Sequence, residues 1–396
     1  MIPSTRLLIL GDPSSRRVGL AAEAARRVGL QWPVIVSYLD FLARPQSLAR
    51  ALSPGTILRI EAPSDDLRIT QALLRRGFAA RAEESREPLP PQAIESLEYA
   101  RGEIVAPRQW YLGLAALMEE LASLSASIGG IRTMASPGEI PVLCDKSRSQ
   151  ARWKAAGVPV PRFWQGIRSY DELRGMDLPR RLFIKMNHGY SAMGAMAIEF
   201  CGERVRAITA TERLVAGGTP RLFVSKRIRV LLAEQEIARL FDSVAASGVI
   251  VEEWLPKSRW NGKAFDVRVV TISGEPRHIV GRANNIPFTN LNLDASRIDA
   301  QTLQITLGSS WEALLETAAR AAQLFPESLY LGLDLLPLPK SCQPSREKFV
   351  VLEGNAWGDY LPGLVDAGED VYEAELRAML SERRERSREE ASCIAS

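Results

Sequence analysis

Histidine and cysteine are scarce in this chain: His188 and His278 are the only histidines, and four cysteines are scattered over 396 residues. Cys144, Cys201, Cys342 and Cys393 form no CxxC pair and no metal-ligand spacing. Zinc chemistry and His-based nucleophile triads therefore have almost nothing to draw on. Lysine is scarce too. Eight lysines stand against forty-two arginines, so a lysine placed where chemistry wants one is less a matter of chance. No apolar stretch approaches the roughly 18 residues a membrane span needs. The apolar run after Arg6 stops at Gly11-Asp12-Pro13, too short for a signal-peptide core. A net charge of +3, from 50 basic and 47 acidic residues, excludes a dominant polyanion-binding role but leaves room for a local basic pocket. The expectation is a soluble cytoplasmic protein with reduced thiols, and neither nucleic acid nor membrane as partner.

At roughly 150 residues per domain the length allows two to three domains. Leu7–Leu10 predicts a buried parallel strand, followed by a turn and a helix from about Arg16 to Val28. Short strands at Val34–Ser37 and Thr56–Ile60 alternate with helical pattern, which argues an α/β domain with a parallel sheet. Its first turn is not GxGxxG, so a dinucleotide fingerprint is absent. Ser136-Pro137-Gly138 breaks the chain and sets a boundary near residue 140. Beyond it the texture is α+β. Ser147–Ala156 predicts a helix that leads into the rigid Val158-Pro159-Val160-Pro161. Leu182–Lys185, Ala195–Phe200, Val249–Trp254, Asp266–Ile272, Leu331–Leu336 and Phe349–Leu352 predict strands, and Trp311–Leu324 a packing helix. The charge-rich run Glu382–Glu390 predicts an exposed helix that frays into a disordered tail.

Four segments could carry chemistry. Asp334 sits inside an apolar strand, and Glu353 follows another with Asn355 two residues on. A carboxylate in a buried strand costs several kcal/mol unless a cation compensates it. Glu353 and Asn355 share a strand face, so pairing of the two strands would bring three oxygen ligands together, a set that suits magnesium; the competing reading is two strand-edge acids facing solvent. Lys185 ends a strand and precedes a loop with Gly189, Ser191 and Gly194, which could present backbone amides to phosphate, or be a plain hairpin. His188 could touch a phosphate or be structural. Glu252-Glu253-Trp254-Leu255 could form a hinge whose backbone reads an adenine edge, or an edge strand with solvent-facing glutamates. Arg282, beside Asn284 and Asn285, is an excess of donors that suits a phosphoryl or carboxylate group. Arg268 shares a strand face with Asp266, so an ion pair between those two is the bland alternative.

In order and spacing these segments resemble the ATP-grasp superfamily, over about residues 141–365, and the α/β domain before them resembles its pre-grasp domain. Cys144-Asp145-Lys146 with Ala156-Gly157-Val158-Pro159-Val160-Pro161 is similar to the opening motif. Lys185 and its loop look like the phosphate-covering loop, Glu252–Leu255 like the adenine hinge, and Gly332-x-Asp334 with Glu353-x-Asn355 like the magnesium strands. Asp266-x-Arg268, Arg282 and Asn290-Leu291 are similar to the amino-acid-adding carboxylate–amine ligases. Within the superfamily the chain looks closest to bacterial proteins of unknown substrate.

The resemblance implies an α/β plus α+β fold: a Rossmann-like pre-grasp domain over 1–140, a central lobe over 141–248, a C-terminal lobe over 249–380, and a charged tail over 381–396. The nucleotide would lie between two sheets. The resemblance further implies ATP and Mg2+ as cofactors. Lys146, Lys185, His188, Gly189, Ser191, Gly194, Glu252, Glu253, Trp254 and Leu255 would bind ATP; Asp334, Glu353 and Asn355 would hold the metal. Arg282, Lys185 and Arg268 would act on the group in transfer. The partners implied are a carboxylate-bearing amino acid or peptide and an amine acceptor, joined as an amide through an acyl phosphate with release of ADP and phosphate. A homodimer is also an expectation. A reading from another class is a nucleotide-binding scaffold or regulator without turnover; the presence of the whole metal set speaks against it.

Overall fold

The computed structural model describes residues 5–81, 88–98, 100–216, 218–342, 348–358 and 361–394. Its first sheet is parallel, in the order Val34–Val36, Arg6–Leu10, Thr56–Ile60, Arg132–Thr133. Thr56–Ile60 is buried at every position, as expected of a parallel strand covered on both faces. The helix Arg16–Arg27 follows the first strand and is capped by Ser15, whose side chain accepts from the Arg17 amide. Helices Leu67–Arg81 and Pro107–Ile128 cross at two glycines. A Cβ on Gly77 would lie 1.8 Å from the Gln109 carbonyl oxygen, and one on Gly113 1.9 Å from that of Leu73. Only glycine allows backbones that close.

The second sheet has seven strands, antiparallel throughout, in the order Glu103–Ile104, Thr219–Leu231, Arg204–Ala216, Met196–Cys201, Arg181–Met186, Val249–Glu253, Phe163–Gln165. Two expected boundaries shift here. Glu103–Ile104, from the segment before residue 140, adds an edge strand to this sheet. Val249–Glu253, expected to open the C-terminal lobe, pairs on both sides within the second sheet. The chain moves to the third sheet only after Glu253. That sheet is antiparallel, in the order Ser296–Ile298, Glu275–Asn284, Lys263–Ile272, Tyr330–Pro337, Phe349–Asn355.

The second sheet has its own apolar core, which includes Leu182, Ile184, Met186, Phe241 and Val251. The first and third sheets share one: Leu8 and Ile57 belong to the same cluster as Trp153, Val267 and Leu333. Helix Val371–Ile394 docks into that shared core through Val371, Leu376 and Met379. It continues to Ile394, where the sequence predicts fraying beyond residue 380. No helix among the described residues is long and apolar enough to cross a membrane.

Gly113→Ala is expected to destabilise the fold by about 2 kcal/mol, because a methyl group cannot enter that helix crossing without separating the backbones. Gly19→Ala, where a Cβ meets nothing within 4 Å, should be neutral or slightly stabilising. Thermal unfolding of both variants checks this, and equal midpoints would contradict the crossing.

Candidate active site

Strand alternation builds one wall of a cleft. Along Arg181–Met186 the residues Leu182, Ile184 and Met186 enter the second core, so Phe183 and Lys185 point the other way. Val249 and Val251 likewise enter the core, and Glu252 shares the cleft face. Lys185 Nζ lies 2.8 Å from Glu252 Oε1 and donates to the Leu352 carbonyl at 3.2 Å. Gln150 Nε2 donates to the same Glu252 oxygen at 2.5 Å. Burial opposes the Lys185 ammonium, but Glu252 and Glu353 outweigh it and raise its pKa.

The facing wall is a row of charges across the third sheet. Phe265, Val267, Leu333 and Leu335 turn into the shared core, which leaves Asp266, Arg268 and Asp334 on the cleft face. Register then sets the pairs. Asp266 stands opposite Arg282, Arg268 opposite Asp334, Asp334 opposite Glu353, and Gly332 opposite Asn355. Arg282 holds Asp266 with two hydrogen bonds, at 2.8 and 2.9 Å. Arg268 Nε donates to Asp334 Oδ1 at 2.5 Å, and Arg282 Nη2 lies 3.0 Å from Asp334 Oδ2. Burial alone would raise the Asp334 carboxyl, but the two guanidiniums overwhelm it and hold the group well below the usual carboxylate range. Asn355 Nδ2 donates to the Gly332 carbonyl at 3.2 Å, which leaves its amide oxygen as a free acceptor.

The third component joins a helix start to the loop between two strands. Asp145 caps helix Lys146–Ala155, accepting from the Arg148 amide at 3.0 Å. Asn187 ties the loop to that cap: its Nδ2 donates to Asp145 Oδ1 at 2.8 Å, and its Oδ1 accepts from the Ser147 amide at 2.8 Å. Lys146 Nζ donates to the Gly189 carbonyl at 2.5 Å and lies 3.3 Å from Glu353 Oε1. Ser191, Ala192 and Gly194 all have positive φ, 50°, 64° and 64°. This left-handed run is the kind of backbone that makes an anion-binding concavity.

Two adjoining compartments share Phe183, Lys185, Phe288, Asn290, Asp334 and Glu353. One extends under Trp254, Leu255, Leu336 and Leu352; the other holds Lys146, Gly189, Ser191, Arg268 and Asn355. Most of the residues singled out from sequence thus meet in one cleft. Some readings need correction. Arg268 pairs with Asp334, not with Asp266, because antiparallel register places a cross-strand partner closer than an i+2 neighbour. Arg282 is no spare donor; two carboxylates already occupy it.

His188 lies off the cleft. It packs on Tyr111 at 4.1 Å between ring centroids, with Nε2 3.2 Å from Asp145 and 3.0 Å from Arg108, and lines a neighbouring cavity with Trp110 and Tyr190. Burial lowers its pKa despite Asp145, with Arg108 and Lys146 adding to the effect. Glu253 turns outward to Arg162 at 2.8 Å.

Arg17, Gln150, Lys257 and Trp357, none of them candidates from sequence, also belong to the cleft or its supports. Lys257 is half-buried, and desolvation, only partly offset by Asp266, lowers its pKa. No spacing signal marks these four, whereas Lys185 ends a strand before a loop of small residues and Lys146 stands in the motif-like Cys144-Asp145-Lys146. Among the described residues no three His, Cys, Asp or Glu side chains form a metal-ligand cluster. The oxygen donors gathered here are two carboxylates and one amide.

No family model matches this chain, and no curated protein matches it. Solved structures do. The ATP-grasp ligase PsnB, solved with a minimal precursor, superposes with a TM-score of 0.53 at 16% identity, covering 95% of this chain and 98% of that one. The macrocyclase MdnC, solved with precursor peptide MdnA from Microcystis aeruginosa MRC, gives 0.51 at 10% identity, covering 93% and 97%. D-alanine–D-alanine ligase from Bacillus anthracis, solved with ATP, gives 0.50 at 13% identity, covering 98% and 99%.

Removing the Asp334 charge leaves two buried guanidiniums short of a partner. Asp334→Asn is therefore expected to destabilise the chain by about 3 kcal/mol. Glu353→Gln, whose neighbour Lys146 keeps the Gly189 carbonyl, should cost about 1 kcal/mol or less. Comparing their thermal unfolding midpoints decides it; a harmless Asp334→Asn would remove Asp334 from the centre of the charge row.

Proposed function

The chain has the ATP-grasp fold, and from that premise we propose that its cleft uses ATP and Mg2+ to activate a substrate carboxylate and join it to an amine. The observation that carries the reading is the meeting of Lys146, Lys185, Asp334, Glu353 and Asn355, from four separate strands and helices, in one cleft between two sheets. The adenine would lie in the apolar compartment, between Phe183 on one side and Leu336 and Leu352 on the other. There the Trp254 amide is already used by the Arg181 carbonyl, at 3.0 Å, so the Leu255 amide is the hinge donor that remains.

The triphosphate would run toward Lys185 and Lys146, under the loop carrying Gly189, Ser191 and Gly194. Glu353 and Asn355 fit Mg2+ best: one carboxylate and one amide oxygen, with Asp334 beside them holding Arg268 and Arg282 in place. Bound there, the metal would neutralise charge on the phosphate oxygens. Arg268 lines the same compartment and would steady the transferring group; Arg282 acts at one remove, by fixing Asp266 and Asp334.

In the proposed reaction a carboxylate oxygen attacks the γ-phosphorus and the bond to the β-phosphate oxygen breaks, releasing ADP. The amine nitrogen then attacks the acyl carbon, phosphate leaves, and the amine proton goes to solvent. No protein nucleophile is required, in keeping with a sequence that holds two histidines and four cysteines. The substrate class proposed is an amino acid or a peptide; the precursors bound to PsnB and MdnC favour a peptide.

The test is ADP release with ATP and Mg2+ over amino acids and acidic peptides, in the presence of hydroxylamine. Hydroxylamine converts an acyl phosphate to a hydroxamate, so the amine need not be known. Carboxylate-dependent ADP with hydroxamate is expected, and Glu353→Gln should lower turnover by about 100-fold while the chain stays folded. AMP as product would exclude the acyl phosphate. Tight ATP binding without turnover on any acid would leave a nucleotide-binding scaffold as the better reading.

A further inference from the structure

Arg17 and Ala62 reach the phosphate-end compartment from the first segment of the chain. Arg17 stands in the first turn of helix Arg16–Arg27, and its guanidinium is fixed from behind. Nε donates to Glu61 Oε2 at 2.8 Å, and Nη2 to the Trp357 carbonyl at 2.5 Å. The other Glu61 oxygen accepts from Arg59 Nε at 2.6 Å, and Arg59 Nη1 donates to Glu375 at 2.6 Å. Arg59, Glu61 and Glu375 are almost wholly buried, so this chain of ion pairs is a rigid mount. Arg17 itself keeps 24% of its side chain exposed, and its Nη1 makes no hydrogen bond among the described residues.

Trp357 adds a second unsatisfied donor. Its indole Nε1 is buried without an acceptor, and the residue lines the same compartment, two positions beyond Asn355. A buried N–H without an acceptor is costly, and an incoming acceptor would recover that cost. Every cation of the compartment has a carboxylate partner, Arg17 with Glu61, Lys146 with Glu353, Lys185 with Glu252 and Arg268 with Asp334, so what Arg17 offers is the Nη1 edge that Glu61 does not use.

We infer that Arg17 and Trp357 form the receptor for the substrate carboxylate, with Arg17 Nη1 and the Trp357 indole N–H donating to it beside the phosphate end of the cleft. The inference rests on the ligase reading and deepens it by assigning the group that selects the acid. A planar guanidinium held on one edge offers its free edge to a carboxylate, and a charge-assisted bond of that kind gives specificity as well as affinity. Phosphate is served from the opposite wall, by Lys146 and Lys185.

The test is calorimetric titration of the full chain, first with Mg–ADP, then with glutamate, aspartate and short peptides containing them, each titrated with and without Mg–ADP. Arg17→Gln and Trp357→Phe should each weaken carboxylate binding by about tenfold or more, leave Mg–ADP binding unchanged, and show partial recovery in Arg17→Lys. Carboxylate binding that is absent from the wild type, or equal in wild type and Arg17→Gln, overturns the inference. So does a loss of Mg–ADP binding with carboxylate binding kept, which would make Arg17 a phosphate ligand. A wild type that binds acids but no Mg–ADP sinks the ligase reading alone. If Arg17→Gln fails to fold by thermal unfolding, Trp357→Phe, which removes the indole N–H while keeping an aromatic ring at the site, carries the test.

Discussion

Asp334 between Arg268 and Arg282 is the interaction on which the cleft depends. One face of the third sheet is committed to the apolar core it shares with the first sheet. The other face must then carry the polar residues of four neighbouring strands, largely out of water. Charges so placed are tolerated only as matched sets. The row from Asp266 and Arg282 through Arg268 and Asp334 to Glu353 and Lys146 is such a set, three carboxylates against three cations. Glu353, the outermost acid, is the more exposed one, at 26% of its side chain. The inner acids organise the row, and the outer one faces the space where a ligand would come.

The facing wall obeys the same economy. Lys185 needs Glu252 because both are on the cleft face of a strand pair and largely out of water, and Gln150 supplies Glu252 with a further donor. Most charges in each half of the cleft are therefore paired before any ligand arrives. A ligand of high negative charge would have to be accompanied by cation, which is the physical reason that a nucleotide and a divalent ion belong together in the proposed reading. The first segment is not a passive neighbour. Its parallel sheet shares a core with the third sheet, its edge strand extends the second, and Arg17 reaches the cleft on a mount of buried ion pairs. The whole chain makes the cleft.

Much of that was legible in sequence, for local reasons. A lysine at the end of an apolar strand, an acid inside one, and an Asn two residues after a Glu are signals carried by period-two alternation, and alternation survives folding. Lys185, Asp334, Glu353 and Asn355 meet in one compartment, and Lys146, which opens a helix and was suggested by the resemblance alone, joins them. What was misread depends on pairing. Arg268 has two carboxylates within reach of its strand position, Asp266 along the strand and Asp334 across it, and only the register of Lys263–Ile272 against Tyr330–Pro337 decides between them. His188 sits in the correct loop but on its far side, because Asp145, Arg108 and the Tyr111 ring hold the imidazole away from the cleft. Arg17 carries no signal at all. One arginine among forty-two is invisible until helix and sheet bring it beside Trp357.

The amino-acid sequence by itself determined the strands that carry Lys185, Asp334 and Glu353, their inward and outward faces, and so which of their side chains could reach a cleft, because these follow from alternation and the cost of burying charge. It held no signal for the long strands Arg204–Ala216, Thr219–Leu231 and Glu275–Asn284. Tertiary structure decided which charges neutralise one another, which sheet claims Val249–Glu253, and which residue of the first segment enters the site. Those outcomes rest on distances between atoms far apart in the chain. Electrostatic pairing falls steeply with such distances, and no local pattern encodes them.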